Sequence, residues 1–214
     1  MIKLATIRLA ISYRNELLVI FGTLALIISL PMICVLVIAN AGVSAVSGSL
    51  VSVNPTTHLV EIHDPNGNIT SELSLSTTWP VAGVVTLEFG ASDFPYQVSH
   101  TGIDIADVTG KIGQPVTTFL EGTVSQVMNV DNQYGRYVFI DHGNHIESQY
   151  WHLSEATVVV GQHVVPGNII GIEGETGLAT GPHVHFQIQV YGIPVNPRSF
   201  IVGDPPLGYP NEND

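Results

Sequence analysis

Basic residues are scarce in this chain: six Lys and Arg stand against eighteen Asp and Glu, for a net charge of −12. Three of the six, Lys3, Arg8 and Arg14, precede residue 17, and the next is Lys111. Phosphate contacts need Lys and Arg, so the composition argues against nucleic-acid binding. Cysteine is almost missing too. The lone Cys34 has no partner within the chain, which excludes an intramolecular disulfide and leaves the fold to its own apolar core and any bound metal. From Trp79 onward no stretch carries a convincing amphipathic helical pattern. After Trp79, short apolar runs recur every eight to twelve residues between Gly, Asn, Asp and Pro, the signature of an all-β domain.

One region lacks charge altogether. Leu17 to Ala39 gives 23 consecutive residues without a charged side chain, enough to cross a hydrocarbon core that takes about 20 helical residues. The basic residues ahead of it place 1–16 in the cytoplasm and 40–214 outside. Pro31 is tolerable in such a helix. Ala39-Asn40-Ala41 resembles a signal-peptide cleavage site, and cleavage near Ala41 would release a secreted form. Signal-peptide apolar cores usually run about 7 to 15 residues, so an uncleaved single-pass anchor is the reading favoured by length.

Ala41 to Ser52 reads as a spacer, and residues 58–70 as a small hairpin turning at Asn66-Gly67, either a stalk or a cover for a site. The organisation expected is 1–16 cytoplasmic, 17–39 transmembrane, 40–78 linker with a hairpin, 79–202 one β domain and 203–214 a disordered tail.

Three polar clusters carry the chemistry: His100 and Asp104 in His-Thr-Gly-Ile-Asp, His152 in Tyr-Trp-His-Leu, and His183-Val-His185 after Thr-Gly-Pro. Neutral imidazoles with a carboxylate are what a catalytic zinc site is built from. Alternate residues of a strand share a face, so an extended 183–190 presents His183, His185, Gln187 and Gln189 on one side. Val184, Phe186, Ile188 and Val190 then take the other. The same phase in Tyr150-Trp151-His152 sends His152 to the polar face and Trp151 into the core. His100 and Asp104 would stand roughly 13 Å apart in a straight strand at about 3.3 Å per residue, so the chain must bend between them, and Gly102 is placed to allow it.

The Gly-rich stretch from Gly171 to Pro182 feeds into the His-x-His strand and is expected to form a wall of the cleft. It has no Lys-Ser/Thr pair to suit a phosphate loop. His142, His145 and His163 fall at turns, and His58 and His63 lie apart from the clusters. The segment Gly-Gln-His-Val-Val-Pro-Gly at 161–167 brings to mind a biotinyl or lipoyl carrier, but Lys111 is the only lysine after residue 3 and stands in no suitable turn.

At these residues the chain resembles the M23 family of zinc metallopeptidases, the lysostaphin and LytM type that cuts peptide bonds in bacterial peptidoglycan. The resemblance runs from about Trp79 to Phe200. It includes His100-Thr-Gly-Ile-Asp104-Ile-Ala, Gly113-Gln-Pro-Val, Gly122-Thr-Val, Tyr137-Val-Phe-Ile-Asp-His-Gly, Tyr150-Trp-His152-Leu-Ser, Val160-Gly-Gln-His-Val-Val-Pro-Gly and Gly174-Glu-Thr-Gly-Leu-Ala-Thr-Gly-Pro-His183-Val-His185-Phe.

The resemblance implies an antiparallel β-sheet domain holding one zinc ion. His100, Asp104 and His185 match its ligands, while His152 and His183 match active-site histidines beside the metal. Departures are Gln187 where many relatives have Glu, Trp151 in place of a smaller residue, and no arginine upstream of His100. The implied function is a membrane-anchored endopeptidase acting on peptidoglycan. A non-catalytic module that binds or activates other wall hydrolases is the alternative, although such domains usually lack ligands that this chain retains.

Overall fold

A computed structural model of the chain describes residues 18–21, 23, 45–93, 98–130 and 132–207. The chain divides into two units, 1–42 and 43–214. In the first, residues 18–21 and 23 are helical, and the rest of the expected 17–39 span, like the 1–16 segment, lies outside the described residues. Among the described residues no helix is long and apolar enough to cross a membrane.

The second unit is built from short strands. In chain order they are β1 (Val51–Val53), β2 (Leu59–His63), β3 (Ile69–Ser74), β4 (Val84–Leu87), β5 (Ser92–Asp93), β6 (Val98–Ser99), β7 (Ile103–Ala106) and β8 (Pro115–Thr117). Then come β9 (Gly122–Met128), β10 (Arg136–Asp141), β11 (Ile146–Leu153), β12 (Glu155–Ala156), β13 (His163–Val164), β14 (Ile169–Ile172), β15 (Val184–Val190) and β16 (Ile193–Val195). The main sheet runs β13-β9-β10-β11-β15-β7-β4, with β16 also on β15. Its pairings are all antiparallel, as the all-β expectation requires. Strands β12, β14 and β8 form a second sheet and β1, β2 and β3 a third.

Alternation in β15 sets the core. Val184, Phe186, Ile188 and Val190 are all fully buried on the inner face. Phe186 meets Tyr150 at 5.3 Å and Phe119 at 5.5 Å between ring centroids. Val116, Phe119 and Ile170, from β8, the turn after it and β14, join the same buried cluster. The opposite face of β15 is covered as well, since His185 and Gln187 are both buried.

The segment read as a spacer is more structured than its composition suggests. Residues 45–50 are helical, and Leu50 is buried in the common core together with Val60 and Ile62 of β2. The hairpin expected at 58–70 is β2 paired with β3, and β1 adds a third strand. Its turn is held by Asp64, whose Oδ1 accepts from the Asn66 and Asn68 amides, and Gly67 takes φ 85° where a Cβ would be strained. At the other end, residues 203–207 lack regular structure, and Pro206 accepts a bond from the Gly83 amide. The rest of the expected tail, 208–214, lies outside the described residues.

Candidate metal centre

The central strands of the main sheet bring the three clusters together. In β7, Ile103 and Ile105 enter the core, so Asp104 projects from the opposite face, directly across from His185 of β15. His100 precedes β7 and returns over Asp104. Gly102 makes that return possible, but for room rather than for a special backbone angle. A Cβ there would lie 2.4 Å from the Phe186 carbonyl oxygen and 2.8 Å from His185 Nε2.

Three atoms converge as a result. His100 Nε2 stands 2.9 Å from His185 Nδ1 and 3.1 Å from Asp104 Oδ1, and His185 Nδ1 stands 2.9 Å from the same oxygen. These residues form a group able to hold a metal ion. In a tetrahedral zinc site with Zn–N of about 2.0–2.1 Å, adjacent ligand atoms are about 3.3 Å apart, so the triangle is close to the size required. Its chemistry fits too. His100 Nδ1 donates to the Glu88 carbonyl at 3.2 Å, which leaves Nε2 as a bare lone pair pointing at the other two atoms. Burial alone would raise Asp104, but the His100 and His185 rings set against it outweigh burial and hold its carboxyl well below the usual range. The donor set is two borderline nitrogens and one hard oxygen, suited to zinc.

His183 and His152 flank this triangle. His183 Nε2 lies 3.8 Å from Asp104 Oδ2, and the His152 and His183 rings are 4.7 Å apart. The far nitrogen of each is tied to a backbone carbonyl at 2.8 Å: His152 Nδ1 to Thr176 and His183 Nδ1 to Gly181. Carbonyls only accept, so both Nδ1 atoms carry a proton. Burial first, then the neighbouring His183 ring, pushes His152 down to about 4. It is therefore neutral at physiological pH.

Trp151 departs from the phase expected of it. It does not enter the core but lies opposite His185, stacked on that ring at 4.5 Å and 25°. Regular alternation along β11, with Ile146 and Tyr150 in the core, already puts Trp151 on the site face, and a bulge after Tyr150 then brings His152 there too. Between the pairs Val138↔Tyr150 and Arg136↔Leu153, β11 carries one residue more than β10, and His152 takes φ 64°. The extra residue sends His152 to the side that Trp151 already faces, while Tyr150 and Leu153 fill the core. The aromatic stack continues from Trp151 to Tyr134 at 4.7 Å.

The cleft above these groups has a volume of about 320 Å³, and Gln133, Tyr134, Leu178 and Thr180 line it as well. Leu178 and Thr180 belong to the Gly-rich loop, which thus supplies a wall. This loop is joined to the 132–135 turn by the Leu178 amide bonding the Gln133 carbonyl, and Gly135 packs against Thr176 too closely for a side chain. Behind His100, the Arg198 guanidinium holds the Glu88 carboxylate at 2.8 Å and lies over Trp79, steadying the segment whose carbonyl orients the histidine.

The remaining histidines stay outside the cleft. His142 turns inward and bonds the Glu121 carbonyl and the Ser148 hydroxyl. His145 stacks on Tyr191, His163 pairs with Glu121, and His63 contacts Ser52.

Comparison with known proteins agrees with this geometry. The model of Peptidase family M23 matches residues 98–197. A peptidoglycan DD-endopeptidase of Vibrio cholerae, ShyA, is 46% identical over 98 residues, which are 45% of this chain and 22% of that protein. The chain spans only about a fifth to a quarter of the length of such curated relatives. A zinc-containing peptidase from Vibrio cholerae of known structure has a TM-score of 0.53 at 28% identity, over 69% of this chain and 47% of that one. The catalytic domain of the prophage-encoded M23 protein EnpA from Enterococcus faecalis is 30% identical with a TM-score of 0.50, and the match takes in 57% of this chain and 95% of that domain. A 30% identical match across nearly the whole of a solved M23 catalytic domain, with a family model that spans the residues of the His-Asp-His triangle, shows that the chain belongs to peptidase family M23.

Proposed function

We propose that the chain is a membrane-anchored zinc endopeptidase acting on the peptide cross-links of peptidoglycan, with His100, Asp104 and His185 as metal ligands. The observation that carries this is the triangle of three atoms 2.9–3.1 Å apart with two further histidines beside it. Three protein ligands are the number used by catalytic zinc, which keeps its fourth position open. When bound, zinc supplies a Lewis acid and lowers the pKa of water.

The chain's own residues do the rest. His152 and His183, each with Nδ1 held by a backbone carbonyl, accept the proton of an attacking water at Nε2 and return it to the leaving amine. As donors in turn, they hydrogen-bond the oxygen on which charge develops. Trp151 and Leu178 give the cleft apolar walls beside these groups. A peptide substrate is supported by the family and by the DD-endopeptidase relatives.

The anchor and the extracytoplasmic location rest on the charge-free run at 17–39 and the three basic residues before it. That arrangement keeps an acidic domain beside the wall without electrostatic attraction to it.

Incubating the full-length protein in detergent with purified sacculi tests the reading. Zinc-dependent release of soluble fragments, abolished by a chelator and by Asp104→Ala, is the expected result. A protein that binds zinc, binds sacculi and releases nothing would be a binding or regulatory module instead. Membrane fractionation tests the anchor: recovery of the chain in the soluble fraction, beginning near Gly42, would overturn it.

A further inference from the structure

Two adjoining hollows of about 480 and 330 Å³ open at the end of β15 away from the metal centre, and Asp141, His145 and Tyr191 border both. Sizes of this order suit a small-molecule ligand. One side is a row of polar side chains running straight across three strands. Asp141 of β10 stands opposite Glu147 of β11, and Glu147 stands opposite Gln189 of β15. Ser125 of β9 extends the row and donates to Glu147 at 3.2 Å. Beside the row the His145 and Tyr191 rings are stacked, with centroids 4.1 Å apart and planes at 21°.

Those two rings stand where the backbone favours other residues. Val190 pairs with Ile193, so Tyr191 and Gly192 form a two-residue hairpin turn, with φ 53° and 75°. A turn left-handed at both positions prefers Asn-Gly, and a bulky residue at the first is an outlier. His145, in the facing turn, is left-handed as well at φ 62°. The two turns are already joined through the main chain, the Tyr191 amide donating to the His145 carbonyl at 3.0 Å. The rings are therefore not needed to hold the turns together.

The lining selects a ligand by its chemistry. No Lys or Arg among the described residues borders either hollow, and two carboxylates repel an anion. The carboxylates do not gather with His145 into a metal-holding group; His100, Asp104 and His185 form that group among the described residues. Asp141 and Glu147 accept hydrogen bonds, while the Gln189 and Asn144 amides both donate and accept. An ammonium ion only donates, so it would leave the amide donors unanswered. A sugar answers both kinds, since its hydroxyls donate and accept, and the C–H face of its ring lies flat on an aromatic ring.

We propose that this end of the sheet is a saccharide-binding site, with Tyr191 and His145 as the stacking surface and Asp141, Glu147 and Gln189 bonding the hydroxyls. Tyr191 lies six residues beyond His185, about 20 Å along the strand at about 3.3 Å per residue. The role of the site rests on the hydrolase reading above: a glycan strand held at Tyr191 presents its attached peptide along the sheet to the metal centre.

Saturation-transfer NMR on the full-length protein, in a detergent whose head group is not a sugar, tests this with chitotetraose and maltotetraose as probes. Wild type should bind chitotetraose. Preference for it over maltotetraose assigns the site to N-acetylated glycan, and equal binding assigns it to pyranose chains in general. Tyr191→Asn, which suits the turn and removes the ring, should weaken binding about 10-fold or more. Gln189→Ala, which leaves both turns intact, should weaken it too. A wild type that binds neither sugar, or two variants that bind as tightly as wild type, would overturn the site. Sugar binding is read without catalysis, so a protein that binds chitotetraose and cleaves no sacculi would defeat the hydrolase reading and leave the site standing. Tyr191→Asn cleaving sacculi at the wild-type rate would remove the presenting role.

Discussion

Glu173 is a buried acid that folding holds at a cost, and the cost has a definite pH dependence. Its side chain is fully buried just after β14, with Oε1 accepting the Asp107 amide at 3.2 Å and Oε2 left without a partner. Burial, opposed by backbone hydrogen bonds and reinforced by the Asp107 charge, pushes its carboxyl from an ordinary 4.5 up to about 7. The folded state therefore holds the proton more tightly than the unfolded chain. Below about pH 4.5 both states are protonated and the group costs nothing; between 4.5 and 7 the unfolded chain ionises first and stability falls; above 7 the loss is complete. At about 1.4 kcal/mol per tenfold difference in proton affinity, that loss is at most about 3 kcal/mol. Replacing Glu173 with Gln keeps the shape and removes the titration. Urea unfolding of both proteins, with matched metal content, should show similar stabilities near pH 4 and a variant up to ~3 kcal/mol more stable above pH 7. The difference between the two cancels the histidines, which titrate in both. A stability difference that does not change with pH, or that favours the wild type at high pH, would refute the reasoning.

Other substitutions separate packing from metal binding. Gly102→Ala places a Cβ against the Phe186 carbonyl and His185 Nε2 at distances backbone cannot accommodate. It should cost about 1–3 kcal/mol in thermal or urea melts and also weaken zinc binding in chelator competition. Tyr150→Phe removes a hydroxyl that accepts from the buried Phe119 amide at 3.3 Å and from Ser148 at 3.0 Å. Leaving that amide unpaired should cost about 1–3 kcal/mol, with zinc affinity unchanged because the hydroxyl lies on the core face of the sheet.

The parts of the site that follow strand phase were legible in the sequence. Alternation over 183–190 separates the two histidines from Val184, Phe186, Ile188 and Val190, and the structure keeps that division. Trp151 was not legible, because strict alternation that places His152 on the site face also places Tyr150 there and sends Trp151 into the core; a bulge after Tyr150 lets Trp151 and His152 share that face, and nothing in Tyr-Trp-His-Leu announces it. Gly102 was legible as necessary but for a different reason: the sequence suggests a bend, and the structure shows a close approach of two strands. Residues 41–52 looked like a spacer because Ser, Gly, Ala and Val dominate them, and the hairpin at 58–70 looked separate from the β domain. The apolar positions Leu50, Val60 and Ile62 reach the core only through the β1-β2 pairing, a long-range event that composition does not encode. The carbonyls of Glu88, Thr176 and Gly181 that orient three histidines are main-chain groups, and no side-chain motif could have marked them.

The central claim is that this chain hydrolyses peptide bonds with a metal held by His100, Asp104 and His185. The most direct measurement is mass spectrometry of a purified cross-linked peptidoglycan peptide dimer incubated with the full-length protein in heavy-oxygen water. The account predicts one heavy oxygen in the new carboxyl group and a matching free amine, both lost with a chelator, restored by zinc, and absent in Asp104→Ala. An intact dimer after incubation with protein shown to carry one zinc per chain would contradict it.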